Sequence, residues 1–380
     1  MIGSAEAARL LGVSKPTLYA YVSRGLVERH TAVDGRTSLY PREQIERLAT
    51  RGRSKAPVER PSIDVKIGSS ITLLDDVTLR YRGHEVAELA RTRSFEQVGE
   101  LLWTGDLPGR PVVWPLDRGQ LDRCLDVATP LVGRSAVAAL GAASHALSAS
   151  STGSESGGDA ARAVAAIAPT LVGGPRRGPV AERLTKAYVR RPSPELVAAV
   201  DRALVLLADH ELATSTLAVR VACSVRADPF AAIAAGLSVV SGRLHGGASV
   251  ETADLVARAD VDGAAATVAS LLDQGGRLPG FGHSVYRRGD PRVAPLLEAV
   301  RSVPGADRTI ALVDDMIAEA GRRLAHLPNV DLALGALLHA GGFPADAPLF
   351  AVARLAGWGA HYDEEAAERP VRFRGLTQLR

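Results

Sequence analysis

Residues 278–292 read LPGFGHSVYRRGDPR, a Pro-Gly-Phe-Gly turn followed at once by His283 and then by Arg287, Arg288 and Arg292. Glycines let backbone approach a ligand closely, and histidine is the side chain that gains or loses a proton near neutral pH. Guanidinium forks pair bidentately with carboxylates, so the turn suits an acidic ligand carrying several carboxylates or a phosphate. On both sides the chain reads as helix. Residues 264–272 before the turn and 310–324 after it carry apolar side chains at helical spacing, as do 196–207 and 221–240. Hydrophobic residues make up 46% of the 380-residue chain and aromatics only 4%. Ala and Leu dominate, which favours helix over strand. The expectation is an all-α body, with length enough for more than one domain.

Two further histidines sit in patterned surroundings. Asp209-His210-Glu211 comes after an apolar helical run, and GRLHGGAS at 242–249 places His245 among glycines. A lone Asp-His-Glu reads best as a solvated helix face, and a histidine between glycines as an exposed turn. Beside the 278–292 turn, both become candidates for binding and proton transfer. Asn329-Val330-Asp331 precedes the apolar run LALGALLHA. Asp331 can N-cap that helix or act as a general base, and these roles pull apart because a helix N-terminus favours the charged carboxylate. Exclusion of water would be needed to raise its pKa. The stretch 142–166, which includes SASSTGSESGGD, reads as a flexible loop between helices. No internal repeat and no dinucleotide or P-loop glycine pattern is found.

The N-terminal segment is different in character. Ser4 can cap a helix with Ala8, Leu10 and Leu11 on its apolar face. Ser14 can cap a second helix with Pro16 in its first turn. Residues 27–30 and 37–40 then flank Asp34-Gly35, a hairpin signal, and Pro41 opens a third helix through Leu48. Residues 1–60 carry 11 Lys and Arg against 6 Asp and Glu, a net +5, while the remainder is −2. A basic module on a nearly neutral body suggests separate partners. Residues 51–62 read as a polar, basic linker. Cys124 and Cys223 are too few for a disulfide framework and are expected to be buried reduced thiols. No secretory signal pattern and no membrane span is read, so a soluble cytoplasmic protein is expected.

AARLLGVSKPTLYAYVSRGLV at 7–27 resembles the MerR/excisionase-type winged helix-turn-helix group. The resemblance implies that Lys15, Thr17, Tyr19 and Arg24 lie on or near the recognition helix and Arg36 on the wing. Basic groups there contact phosphate in DNA; the other reading of the module is dimerisation or protein contact.

The rest of the chain resembles the citrate synthase family. The motifs that carry the likeness run in order: SSITLLDDVTLRYRGHEVAELA, SFEQVGELLWTGDLP, DHELATST, GRLHGGAS, PGFGHSVYRRGDPR, NVDLALGALLHAGGFP and RLAGWGAHYDE. A helix-turn-helix ahead of such a body is similar to a bacterial subgroup. The resemblance implies a large domain of residues 63–225 and 326–380 and a small domain of 226–325 that closes over substrate. It implies condensation of acetyl-CoA with oxaloacetate and water to give citrate and CoA. In that chemistry Asp331 removes a methyl proton, His245 donates to the enolate oxygen, and His283 polarises the ketone. His210, Arg292 and Arg354 match oxaloacetate-binding positions, Arg287 a coenzyme A contact, and Arg369 an arginine reaching a partner subunit in a homodimer. Arg372 competes with Arg369 because the C-terminal spacing is one residue short.

No metal or redox cofactor is implied; acetyl-CoA is a substrate. Leu207 and Ala213 occupy positions where the family commonly has His and Asn. Two rival activities are 2-methylcitrate synthesis from propionyl-CoA, and a metabolite-responsive DNA-binding regulator with a weak or silent synthase body.

Overall fold

The structure, a computed structural model, describes residues 1–11, 13–23, 26–32, 37–45, 66–75, 78–283, 285–286 and 288–374. It divides into two compact units, Met1–Gly68 and Ser69–Arg380.

In the first unit the helices Ser4–Leu11 and Lys15–Ser23 form as the sequence predicts. The Ser14 hydroxyl accepts from the Thr17 amide at 3.4 Å and hydrogen-bonds the Thr17 hydroxyl at 2.9 Å. Strands His30–Thr31 and Ser38–Tyr40 pair antiparallel, His30 opposite Leu39. The Asp34-Gly35 turn, the rest of the third helix after Ile45, the 51–62 linker, Arg24 and Arg36 lie outside the described residues. A strand the sequence pattern does not predict, Ile2–Gly3, pairs with Ser38–Tyr40 on its other edge. Ile2, Ala7, Ala8, Leu18, Val27, Tyr40 and Ile45 fill this unit's core.

The second unit opens with a small antiparallel sheet: Thr72–Leu74, Leu79–Tyr81 and His84–Glu85. Arg82 and Gly83 both have positive φ, 48° and 88°, which is the backbone a two-residue hairpin needs to match strand twist. Strands of two or three residues are too short for alternation to register, so the sequence pattern shows only helix here. Beyond the sheet the body is helical, and the side chains that start the helices are visible in the sequence. Ser94 with Gln97 and Ser156 with Asp159 form capping boxes, and Asp117, Ser135, Ser193, Asp228 and Asn329 supply single caps.

Two readings change. The apolar run 221–240 is two helices, Thr214–Ser224 and Pro229–Val240. Arg226 at φ 62° and the Asp228 cap break it. The stretch 142–166 is mostly helix, ending at Ser148 and restarting at Gly157. The short connection is tied by hydrogen bonds from Ser151 and Thr152 to Glu155, which hold that carboxyl down at about 2.

The helix Leu349–Ala366 is buried along most of its length, and its polar side chains Arg354, His361 and Glu365 are buried with it. It approaches Gly157–Leu171 closely through glycines, and Trp103 Nε1 donates to Ala356 O at 2.8 Å beside that crossing. A Cβ on Gly359 would stand 2.7 Å from Gly157 O, 2.8 Å from Ala161 Cβ and 2.9 Å from Trp103 Nε1. Overpacking of this kind costs about 1–3 kcal/mol. Gly359→Ala is therefore expected to lower stability by about that amount, read as a shifted urea midpoint at unchanged m-value.

Candidate active site

Tyr81, at the end of the second strand of the body's sheet, anchors the loop that carries His210. Its hydroxyl donates to Asp209 O at 2.9 Å and accepts from Asp209 N at 3.1 Å. The Asp209 side chain is fully buried rather than on a solvated face. Its Oδ2 accepts from the Thr72 hydroxyl at 2.6 Å, the Glu211 amide at 3.1 Å and His361 Nε2 at 3.3 Å. Arg220 Nη1 donates to His361 Nδ1 at 2.9 Å, so the His361 proton sits on Nε2, facing Asp209. Burial works against the Asp209 charge, but His361, Arg354 and Thr72 together hold its carboxyl below the usual range. Glu211 adopts φ 48°, a sparsely populated conformation for a side chain with a Cβ, directly after His210.

His283 comes after a turn in which Gly280 and Gly282 have φ 81° and 82°. A Cβ at Gly280 would stand 2.9 Å from Thr252 Cγ2, and one at Gly282 2.7 Å from His326 Nδ1. Here glycine is required both for conformation and for space. Asn329 fastens this turn to the next element: its Nδ2 donates to Gly282 O at 2.8 Å, while its Oδ1 accepts from Asp331 N at 3.0 Å. Asn329, not Asp331, is thus the cap of Val330–Gly341, and Asp331 lies in the first helical turn with its carboxylate free of that duty. Asp290 adds a second tie. It forks Arg292 through Nε at 2.9 Å and Nη2 at 2.8 Å, and accepts from the Val330 amide at 2.9 Å.

The rings and cations converge. His210 lies 5.3 Å from His283 and 5.5 Å from Tyr286, centroid to centroid, and its Nε2 is 3.2 Å from the Tyr286 hydroxyl. His283 Nδ1 accepts from the amides of Val285 and Tyr286 at 3.1 and 3.3 Å, which places its proton on Nε2. His245 Nε2 meets the Ser215 hydroxyl at 2.8 Å, and Ser215 Oγ accepts from Trp358 Nε1 at 3.3 Å. Among the described residues His245 Nε2 is the one acceptor within reach of the Ser215 hydrogen, and a hydroxyl donating there requires the tautomer with the His245 proton on Nδ1. Phe350 and His245 meet edge to face with ring centroids 5.7 Å apart, and the Arg354 guanidinium lies over the Phe350 ring at 5.0 Å. Arg354 is 1% exposed, and its Nε and Nη1 meet no protein acceptor. Asp331 receives a 2.5 Å hydrogen bond from Ser249. A cleft of about 180 Å³ opens beside His283, Tyr286, Asp290 and His326.

Burial followed by nearby cations lowers all three histidines: Arg354 acts on His245, Arg292 on His283, and both on His210. His245 is pushed down to about 4. Burial moves Asp331 the other way, above the usual carboxylate range, against the pull of Ser249 and Arg292.

His210, His245, His283, Arg292, Asp331 and Arg354 therefore share one electrostatic neighbourhood. Arg369 does not join it: it is exposed, whereas Arg372 is forked by Glu365. Arg287 lies outside the described residues. Lys15 and Tyr19 are exposed on the second helix of the N-terminal unit, and Thr17 is engaged with Ser14. Leu207 is a fully buried core residue, and Ala213 is the N-cap of Thr214–Ser224 with no side-chain cap bond. Sequence reasoning assigns no role to Tyr81, Ser215, Ser249, Tyr286, Asp290 or Phe350; Tyr286 and Asp290, inside the 278–292 turn beside His283 and Arg292, carry the strongest local signal. Cys124 and Cys223 are buried free thiols, as expected. Among the described residues no three His, Cys, Asp or Glu side chains gather as a metal site, and no helix is long and apolar enough to cross a membrane.

A family model described as citrate synthase, C-terminal domain, matches residues 65–374, and one described as a helix-turn-helix domain matches residues 1–53. The chain belongs to the citrate synthase family and carries a helix-turn-helix domain ahead of the synthase body. It is 31% identical to the 2-methylcitrate synthase of Mycobacterium tuberculosis over 356 residues, covering 81% of this chain and 88% of the relative. It is 30% identical to the citrate synthase of Mycolicibacterium smegmatis over 327 residues, covering 77% and 87%. The fold is that of the crystal structure of citrate synthase from Pyrobaculum aerophilum, with TM-score 0.70, 24% identity, and 82% and 89% of the two chains covered. It is also that of Thermoplasma acidophilum citrate synthase in ternary complex with carboxymethyl coenzyme A and oxaloacetate, with TM-score 0.68, 24% identity, and 86% and 98% covered.

Because the folded chain binds a proton at His245 more weakly than the unfolded chain does, stability is full above about pH 6.5 and falls as pH drops toward about 4. His210 and His283 act in the same direction. His245→Gln is expected to flatten part of this acid slope, measured as urea midpoints across that range.

Proposed function

We propose that the body condenses an acyl-CoA with oxaloacetate, acetyl-CoA giving citrate and CoA. The observation that carries this reading is Arg354, a buried guanidinium whose Nε and Nη1 meet no protein acceptor, beside three histidines held in the neutral form. A buried cation with unmet donors is costly, and a substrate carboxylate offsets that cost through a fork of hydrogen bonds. Arg292, with Nε and Nη2 committed to Asp290, offers its Nη1 edge to a second carboxylate.

In this mechanism Asp331 takes a proton from the acyl α-carbon, its basicity raised by burial. Charge develops on the thioester oxygen, where neutral His245 donates from Nδ1. His283 donates from Nε2 to the oxaloacetate ketone, which the enol carbon attacks. Water then cleaves the thioester, releasing CoA and the product carboxylate. Arg369, exposed while Arg372 is held by Glu365, is the arginine we assign to the partner's site in a homodimer. Residues 63–380 would divide into a large domain of residues 63–225 and 326–380 and a closing small domain of residues 226–325. Arg287 is assigned to coenzyme A.

The test is release of free CoA thiol from acetyl-CoA with and without oxaloacetate. Oxaloacetate-dependent release in wild type, reduced by at least about a thousandfold in Asp331→Ala, supports the reading. No release from folded wild type with either acetyl-CoA or propionyl-CoA sinks it. The relatives at 30–31% identity include both citrate and 2-methylcitrate synthases. One methylene is worth about 1–3 kcal/mol, so kcat/KM for the two acyl-CoAs decides between the names.

The N-terminal module, basic by net charge and presenting exposed Lys15 and Tyr19, supports a second role in binding duplex DNA. Affinity that falls steeply with salt would bear that out, and no binding even at low salt would remove it.

A further inference from the structure

The helix Gly247–Asp262 begins two residues after His245, and its Ser249 is 4% exposed. It packs on Val330–Gly341 so closely that a Cβ on Gly335 would stand 3.4 Å from Thr252 and Ala253. The two helices therefore fix the spacing between His245, just ahead of one, and Asp331, in the first turn of the other. At their contact the Ser249 hydroxyl donates to Oδ1 of Asp331 at 2.5 Å. An ionised carboxylate only accepts, so the hydrogen belongs to Ser249. Asn329 takes the Asp331 amide, and among the described residues no hydrogen bond reaches Oδ2.

We infer that Ser249 is a positioning residue for the condensation proposed above, occupying Oδ1 so that Oδ2 is the oxygen that takes the proton from the acyl-CoA α-carbon. The inference rests on that reading. In the step, an Oδ2 lone pair forms the new O–H bond, the C–H electrons become the Cα–C double bond, and the thioester oxygen takes the charge toward His245. Ser249 keeps its proton throughout. Its hydroxyl also ties the helix that starts beside His245 to the base, so the plane of the carboxylate is set before substrate arrives.

The charged groups facing Asp331 are Arg292 and Arg354, which favour its ionised form, and Asp290, which disfavours it. After burial, the Ser249 hydrogen bond has the largest influence on its pKa, and it acts downward. Removing that donor leaves burial less opposed, so the carboxyl must rise and the acidic limb of the rate profile must move to higher pH.

The experiment records kcat and KM against pH for oxaloacetate-dependent CoA release in wild type, Asp331→Ala, Ser249→Ala, Ser249→Thr and Ser249→Cys. For Ser249→Ala the acidic limb is expected to move up by about one pH unit. Its kcat near neutrality should fall about tenfold, while KM for oxaloacetate changes less than about twofold. Ser249→Thr, which keeps the hydroxyl, should restore the limb. Ser249→Cys, a weak donor of similar shape, should place it in between and serves if the alanine variant does not fold. A limb unmoved in Ser249→Ala or Ser249→Cys, whatever happens to kcat, overturns the inference, as does a limb displaced equally in Ser249→Thr. If wild type is active and Asp331→Ala is not, such a failure falls on Ser249 alone. If folded wild type releases no CoA, the condensing reading fails and the inference falls with it.

Discussion

The carboxylate of Asp209 is the charge around which the interior of the body is arranged. A lone carboxylate there would cost several kcal/mol, yet three hydrogen-bond donors reach it and a fourth group, Arg354, acts on it through its charge. Thr72 comes from the sheet, the Glu211 amide from its own loop, His361 from the central helix, and Arg354 from about two turns nearer that helix's start. Gly357 is glycine because a Cβ would collide with Asp209 Oδ1 and Ala208 O. The Asp209 charge favours the charged form of the buried Arg354 guanidinium, and the Glu211 amide bond to Asp209 holds the strained turn in place beside His210.

A second set of ties works at the opposite side of the site. Asn329 and Asp290 each make two connections: one amide joins the His283 turn to the Asp331 helix, and one carboxylate joins Arg292 to the same helix start. The donors and acceptors that satisfy the helix N-terminus are therefore the same groups that fix the spacing of the reactive side chains. Capping and site assembly are a single structural problem here, solved with two side chains.

How much of this is legible in the sequence varies with range. His245, His283, Arg292 and Asp331 announce themselves because glycine turns, arginine pairs and a capped apolar helix are local patterns. The small sheet is not legible, since strands of two or three residues carry no period, and Arg82-Gly83 is a weak turn signal beside Asn-Gly. Nor is the burial of Asp209: its partners lie more than a hundred residues away in Thr72 and His361. Ser215 and Ser249 fall within the DHELATST and GRLHGGAS motifs, but nothing local singles out either serine, because the partners that give it a role lie on other elements. The stretch 142–166 shows the converse. Small residues that read as a loose connection serve in fact as close-approach surface for Gly359 and Trp103.

Under the proposed function, in which a substrate carboxylate seats on the unshared guanidinium edge of Arg354, that edge also ties the molecule's lifetime to its surroundings. A chain that holds a desolvated cation with unmet donors is less stable alone than with a dicarboxylate seated on it, by an amount that grows with the logarithm of ligand concentration. Proteases act on the transiently opened chain, whose population follows that stability. Scarcity of the ligand would then shorten the protein's half-life before any transcriptional response, so that its abundance would follow metabolite supply through turnover alone.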